Sequence, residues 1–212
     1  MSLWDDGLRT YLSAAQLQTI QQTLIGIGGC GGLGSNTALI LARCGFCRFV
    51  LIDHDTVEAS NLNRQQFFLN DIGQPKACCL ESRIKAVNPA AECRVLVQRW
   101  SPDIHPDPFP DCRLLIEAFD EARTKTLFLE TYQDRVDALI SGNGLAGITG
   151  PAMSIRRTGN LFFVGDGMTP VDASHPPMAP RVTACAAVMA ETALSLALGI
   201  TPNNVCGESS EL

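Results

Sequence analysis

The chain has 212 residues, 46% of them apolar and 18% charged. That is enough for one compact domain with a sizeable core and no need of disulfide or metal staples. Sixteen Lys plus Arg against 22 Asp plus Glu leave a net charge of −6. Such a chain lacks the broad positive field that drives binding to nucleic acid or an anionic membrane, so an anion would have to be held by a local site.

The N-terminus, Met1-Ser2-Leu3-Trp4-Asp5-Asp6, has no basic or apolar leader region, which argues against a secretory signal. The apolar stretch 184–200 is broken by Glu191, Thr192 and Ser195, which argues against a membrane span. A soluble cytoplasmic protein is expected. Nine scattered cysteines fit reduced thiols better than a disulfide framework. The pair Cys44-Gly-Phe-Cys47 follows a helical run, so it reads as a helix C-terminus capped by Gly45 and not as a redox motif.

In chain order, residues 8–22 carry a broken helical period with Ser13 as a cap. Residues 23–27 read as a buried strand, about 33–43 as a helix and 48–52 as a second strand; this spacing predicts a parallel βαβ unit. Pro75 suits the first position of a helix running to Val87. Residues 93–98 and 113–117 read as strands around the Pro-rich loop 101–110, residues 124–132 as a helix and 137–141 as a strand. A hairpin is expected from 153–156 and 161–164, then a long Gly/Pro loop at 166–180, of a length that usually carries function. A helix over 182–198, capped by Gly199, follows. The predicted class is α/β: a Rossmann-like, mostly parallel sheet with helices on both faces and an antiparallel C-terminal extension. One domain over 1–212 is expected, with an N-terminal helical arm at about 8–22 and a crossing loop at about 166–180.

Residues 26–35, Gly-Ile-Gly-Gly-Cys-Gly-Gly-Leu-Gly-Ser, hold G-x-G-x-x-G in two registers, starting at Gly26 or Gly29. Glycines there let the backbone approach a phosphate, and the following helix N-terminus favours negative charge. The register Gly29, Gly31, Gly34 leads directly into the helix and is preferred, with Gly32 in the same loop. A close-packed strand–helix turn that binds nothing would need similar glycines. Asp53 closes the second strand 19 residues after Gly34, where an acid can accept hydrogen bonds from ribose hydroxyls. Together these features predict a nucleotide site without choosing the nucleotide.

The run from Asp53 through Asp55, Asn61, Asn63, Arg64, Gln65 and Gln66, with Gly73-Gln-Pro-Lys76, closely resembles the ThiF/MoeB family of ubiquitin-activating-type adenylyltransferases. The resemblance continues through residues 117–125, which contain Asp120 and Lys125, and 177–182, covering roughly 23–200 in order. It is nearest to the compact branch that serves a ThiS-like sulfur carrier in thiamine synthesis. The family implies that ATP activates the C-terminal glycine carboxylate of a small ubiquitin-fold carrier, giving an acyl-adenylate and pyrophosphate. Arg64 and Lys76 would then offset the triphosphate charge. Asn61 and Gln65 would hold phosphate or metal-bound water, Asp53 would hold ribose, and Asp55 would help either from behind Asp53 or on the metal side. Asp120 matches the catalytic aspartate and would position Mg²⁺. The resemblance further implies a homodimer in which a partner's N-terminal arginine reaches the nucleotide; Arg9 is the one arginine before the glycine loop. A separate sulfur-donor protein is possible; no nucleic-acid or membrane partner is expected.

Each residue also has a plainer role. Lys76 could be an exposed cation, Arg64 could pair with Asp55 or Glu58, and Asp120 could cap the 124–132 helix. The chain departs from many relatives in having Glu121 where Asn is usual, and Cys30 in the glycine loop. Some relatives hold zinc with paired C-terminal cysteines; only Cys185 and Cys206 lie beyond residue 175, so no zinc is expected. The loop 166–180 has no cysteine, and Cys185 reads more readily as a core residue than as a nucleophile. His175 could touch a carrier tail in that loop. The resemblance also admits another carrier, since the molybdopterin and amino-acid pathways use similar activating enzymes; a non-catalytic carrier-binding scaffold would share the fold, and a nicotinamide-dependent dehydrogenase would share the glycine loop and Asp53.

Overall fold

The computed structural model describes residues 3–202. Two short helices open it, α1 (Leu3–Leu8) and α2 (Ala14–Gln22). The broken helical period over 8–22 divides at the expected Ser13 cap, which accepts from the Gln16 amide while the Gln16 side chain returns to the Ser13 amide. The strands are β1 (Leu24–Gly28), β2 (Arg48–Ile52), β3 (Glu92–Leu96), β4 (Leu114–Glu117), β5 (Ala138–Gly142), β6 (Ser154–Thr158) and β7 (Leu161–Gly165). Between them lie α3 (Gly32–Arg43), α4 (Lys76–Val87) and α5 (Ala122–Tyr132), and α6 (Ala179–Ala197) closes the order.

One sheet runs β3-β2-β1-β4-β5-β7-β6, with every pair parallel except β6–β7. The α/β, mostly parallel class with an antiparallel extension is therefore the observed one. Period-two alternation builds two cores. Phe49, Leu51 and Ile116 face the layer of α3, α4 and α6, while Val50, Ile52, Leu115 and Leu139 face a cluster with Trp100, Phe109, Phe128 and Tyr132. On the second face β1 follows Leu24 with Gly26 and Gly28, and side chains at the two glycines would overlap Phe109, Leu115 and Phe119. The glycines let α5 and its aromatic residues close on the strand.

Cys44 ends α3 and Gly45 follows at φ 108°, the left-handed cap read from the sequence. The final helix starts at Ala179, three residues before the expected boundary, because Pro180 occupies its first turn, where no N–H is needed. No described helix is long and apolar enough to cross a membrane.

Candidate functional site

Strand order reverses between β1 and β4, and ligands of such sheets bind beyond the carboxyl ends of the strands at that point. Here Gly28 lies level with Ile52 and Glu117, so Gly29, Asp53 and Ala118 emerge together. They line a cleft of about 530 Å³. Its walls also carry Gly31, Gly32, Arg64, Gln65, Lys76, Asp120 and Lys125, with Thr169, Pro170, Val171 and Pro177 from the crossing loop.

The glycines have separable roles. Gly29 sits at φ 90°, and a Cβ there would lie 2.7 Å from the Ala118 carbonyl oxygen. A Cβ on Gly34 would overlap the Gly29 carbonyl, so this residue is required by packing of the turn itself. Gly31 differs: the nearest atom to a Cβ would be Gln65 Nε2 at 3.7 Å. No described atom crowds a side chain at Gly31, so its bareness leaves room in the cleft at the start of α3. The first N–H groups of that helix have no helical acceptors. Gln65 Nε2, an amide donor, borders the same open space. This is a cradle suited to an anion.

Asp53 is 7% exposed; its Oδ2 accepts from the Cys30 amide at 2.6 Å and its Oδ1 from the Asp55 amide at 2.8 Å. Burial pushes its carboxyl above the ordinary value, against the pull of those amides and of Lys76. Lys76 donates to Asp55 Oδ2 at 2.8 Å. Partial burial raises the Asp55 carboxyl, but the Lys76 bond and charge outweigh it and hold the carboxyl below its usual range. Asp53, His54 and Asp55 bring ligand atoms within 4.8 Å of one another. Backbone donors on Asp53 and the ammonium on Asp55 already use that set, and we do not read it as a metal centre.

Arg64 donates to the Ser60 carbonyl at 3.1 Å and to Asn63 Oδ1 at 2.8 Å, and pairs with no carboxylate among the described residues. The alternative of a salt bridge to Asp55 or Glu58 is thereby removed. Asp120 is exposed in the cleft beyond β4, and its side chain has no protein partner among the described residues. It does not cap α5: Glu121 occupies the N-cap position and accepts from Thr124 Oγ1 at 2.8 Å.

Three expected site residues do not line the cleft: Gly34, which packing of the turn takes up, Asn61 and Arg9. Asn61 does not line it; its Oδ1 accepts from the Glu58 amide at 3.1 Å, closing a turn. Arg9 is exposed in the turn after α1, and neighbouring Leu8 packs at Gly45, beyond the C-terminus of α3 and far along the helix from the glycine loop. His175 likewise lies outside the lining, exposed and bonded to Asp172 Oδ1 at 3.0 Å. Cys185 falls in the second turn of α6, its thiol on the Val164 carbonyl, and burial pushes its pKa up to about 12. Cys206 lies outside the described residues.

Other residues that shape the site carried no individual sequence reading. Asn36, 1% exposed, donates to the Gly32 and Arg64 carbonyls at 2.6 and 2.8 Å, tying the glycine loop to the segment bearing Arg64. Its signal was a buried-face Asn inside an apolar helix, a poor choice unless bonded. Arg181 ties down the crossing loop, donating to the Ala146 and Pro151 carbonyls and to Asp166 Oδ2 at 2.8, 3.0 and 2.6 Å. Asn63 Nδ2 holds the Pro177 carbonyl at 3.0 Å from the opposite side.

A glycine turn feeding a helix at the switch point of a parallel sheet, with ribose-type acid and free cation in one cleft, defines a Rossmann-like nucleotide-binding architecture. Residues 7–211 match the ThiF family, and the chain belongs to it. It is 34% identical over 138 residues to a tRNA threonylcarbamoyladenosine dehydratase of Bacillus subtilis, over 64% of this chain and 54% of that protein. It is 32% identical over 162 residues to the adenylyltransferase and sulfurtransferase MOCS3 of Bos taurus, over 74% of this chain and 33% of that protein. The chain thus spans between about a third and about half of these relatives. Among solved structures, E. coli tRNA N6-threonylcarbamoyladenosine dehydratase in complex with AMP superposes with a TM-score of 0.81 at 21% identity, over 92% of this chain and 93% of that one. The same dehydratase in complex with ATP gives 0.77.

Proposed function

We propose that the cleft transfers AMP from ATP to a carboxylate of a second substrate. The observation that carries this reading is a single cleft holding an open glycine cradle, an unpaired guanidinium on Arg64 and an unpaired carboxylate on Asp120. A scaffold has no use for unpaired charges so placed, and a dehydrogenase has no use for Arg64 and Asp120.

In the proposed step a carboxylate oxygen attacks the α-phosphorus, a C–O–P bond forms, the α–β bridge breaks, and pyrophosphate leaves with the electron pair. An anion attacking a polyanion meets repulsion, which fixed cations in a water-poor cleft reduce. Arg64 meets the triphosphate with no carboxylate to compete. Lys76 follows by exchanging part of its contact with Asp55, and the α3 amides hold phosphate oxygens. Asp53 orients ribose, its Oδ atoms fixed by two backbone amides. The donor chemistry of Asp120 fits Mg²⁺, which would neutralise triphosphate charge when bound.

For the substrate we favour the C-terminal glycine carboxylate of a small ubiquitin-fold, ThiS-like carrier, with a sulfur donor taking the acyl group later. Its support is the net charge of −6 and the apolar surface beside the cleft mouth, where Ile148, Met168 and Val171 are 74, 73 and 63% exposed. A second reading, a carboxylate borne on tRNA, is favoured by the name of the Bacillus subtilis relative. A homodimer belongs to the same proposal, since Arg9 can act at a cleft only from another copy. The test is exchange of radiolabelled pyrophosphate into ATP. A Gly-Gly-ending carrier that stimulates exchange supports the favoured reading; stimulation by tRNA alone moves the assignment to the second.

A further inference from the structure

We infer that the buried Glu117–Lys125 pair is a positioning device for Asp120; the inference rests on the adenylation reading and extends it to residues that reading does not use. Glu117 ends β4 and is 0% exposed. Its Oε1 accepts from the Phe119 amide at 2.8 Å and Lys125 Nζ at 3.1 Å; its Oε2 accepts from Lys125 Nζ at 2.8 Å and Ser141 Oγ at 2.5 Å. Lys125 Nζ also donates to the Gly142 carbonyl at 3.2 Å. One carboxylate and one ammonium therefore knot together the ends of β4 and β5 and the first turn of α5.

Asp120 hangs on the segment between the two partners. With no side-chain bond to any described residue, its place is inherited from backbone that the Glu117–Phe119 bond fixes on one side and Lys125 fixes on the other. Lys125 lines the cleft, yet its three N–H groups are committed to Glu117 and Gly142, so it serves as a tie and not as a phosphate cation. Stability alone does not call for such a pair, because well-packed apolar residues hold a core at least as well as a buried ion pair. Serving site geometry accounts for it.

Removing one partner strands the other as a buried charge and threatens folding, so the test uses two variants that avoid this. Glu117→Gln with Lys125→Met removes both charges at similar volume, and Lys125→Arg keeps the charge. Pyrophosphate exchange with carrier and ATP is measured for each, alone and with Asp120→Glu. The double variant is expected to lose about tenfold to a hundredfold in kcat, with KM for ATP changing by less than about threefold. Lys125→Arg is expected to keep most of the wild-type kcat, and in the Asp120→Glu background the further loss from the double variant should be under about threefold. An equal loss in that background, or a loss confined to KM, overturns the inference. A wild type that does not exchange defeats adenylation instead. A crystal structure of the double variant then decides positioning by itself: residues 118–121 displaced support it, and an unmoved Asp120 overturns it.

Discussion

Gly31→Ala and Gly34→Ala change the same loop by one methyl group each, and the structure separates their effects. At Gly34 the new Cβ would overlap the Gly29 carbonyl oxygen, so the turn must shift, at a cost of about 1–3 kcal/mol or more. At Gly31 it would lie 3.7 Å from the nearest atom, in ordinary contact, and the loss of a glycine N-cap costs within about 1 kcal/mol. The unliganded Gly31→Ala protein should therefore melt within about 4 °C of wild type. ATP at a hundredfold its Kd stabilises wild type by about 2.7 kcal/mol, an upward shift of about 5–11 °C for a chain of this size. If the methyl group takes the phosphate's space and weakens binding tenfold, that stabilisation falls to about 1.4 kcal/mol and the shift to about 3–6 °C. Thermal melts with and without ATP read both effects. A Gly31→Ala protein that keeps the full ATP shift would refute the cradle, and one that fails to fold would refute the packing argument.

Arg64→Met should leave the unliganded stability within about 0.5 kcal/mol, because no carboxylate loses a partner, while weakening ATP about tenfold or more; titration calorimetry measures it. Cys185, with its pKa pushed up to about 12, should resist a maleimide at pH 8 in the native protein while exposed Cys78 reacts, as peptide mass mapping would show; Cys185→Ala should retain exchange. Burial raises the Asp166 carboxyl, but the Thr169 hydroxyl, the Met168 and Thr169 amides and Arg181 outweigh it and hold the carboxyl below its ordinary value. Its contribution to stability is thus full above about pH 4 and lost as pH falls through the lower folded-state value. Urea unfolding should show Asp166→Asn weaker by about 3 kcal/mol at pH 7, with the gap narrowing below pH 4; a constant gap would contradict the assignment.

The legible parts of this protein were those written in local chemistry. The βαβ start, the capped end of α3 and the glycine loop each follow from spacing and turn residues within a few positions, and they appear as read. A boundary slipped where a residue has two uses: Pro180 reads as loop but opens α6. The cleft's supporting bonds were not legible, because Asn36 meets Arg64 across 28 positions and Arg181 meets Ala146 across 35. No periodicity encodes such pairs. Nor was the bond that Asn61 accepts from the Glu58 amide legible: a polar residue within a motif can also close its own turn.

The central claim, that a carboxylate oxygen becomes bonded to the α-phosphorus of ATP, is tested most directly with a carrier whose terminal carboxylate bears heavy oxygen. After turnover and transfer of the acyl group to a thiol, the released AMP is examined by mass spectrometry. Attack by the carboxylate gives AMP that has gained one heavy oxygen, with unlabelled pyrophosphate. Unlabelled AMP, or heavy oxygen in inorganic phosphate beside ADP, would contradict it.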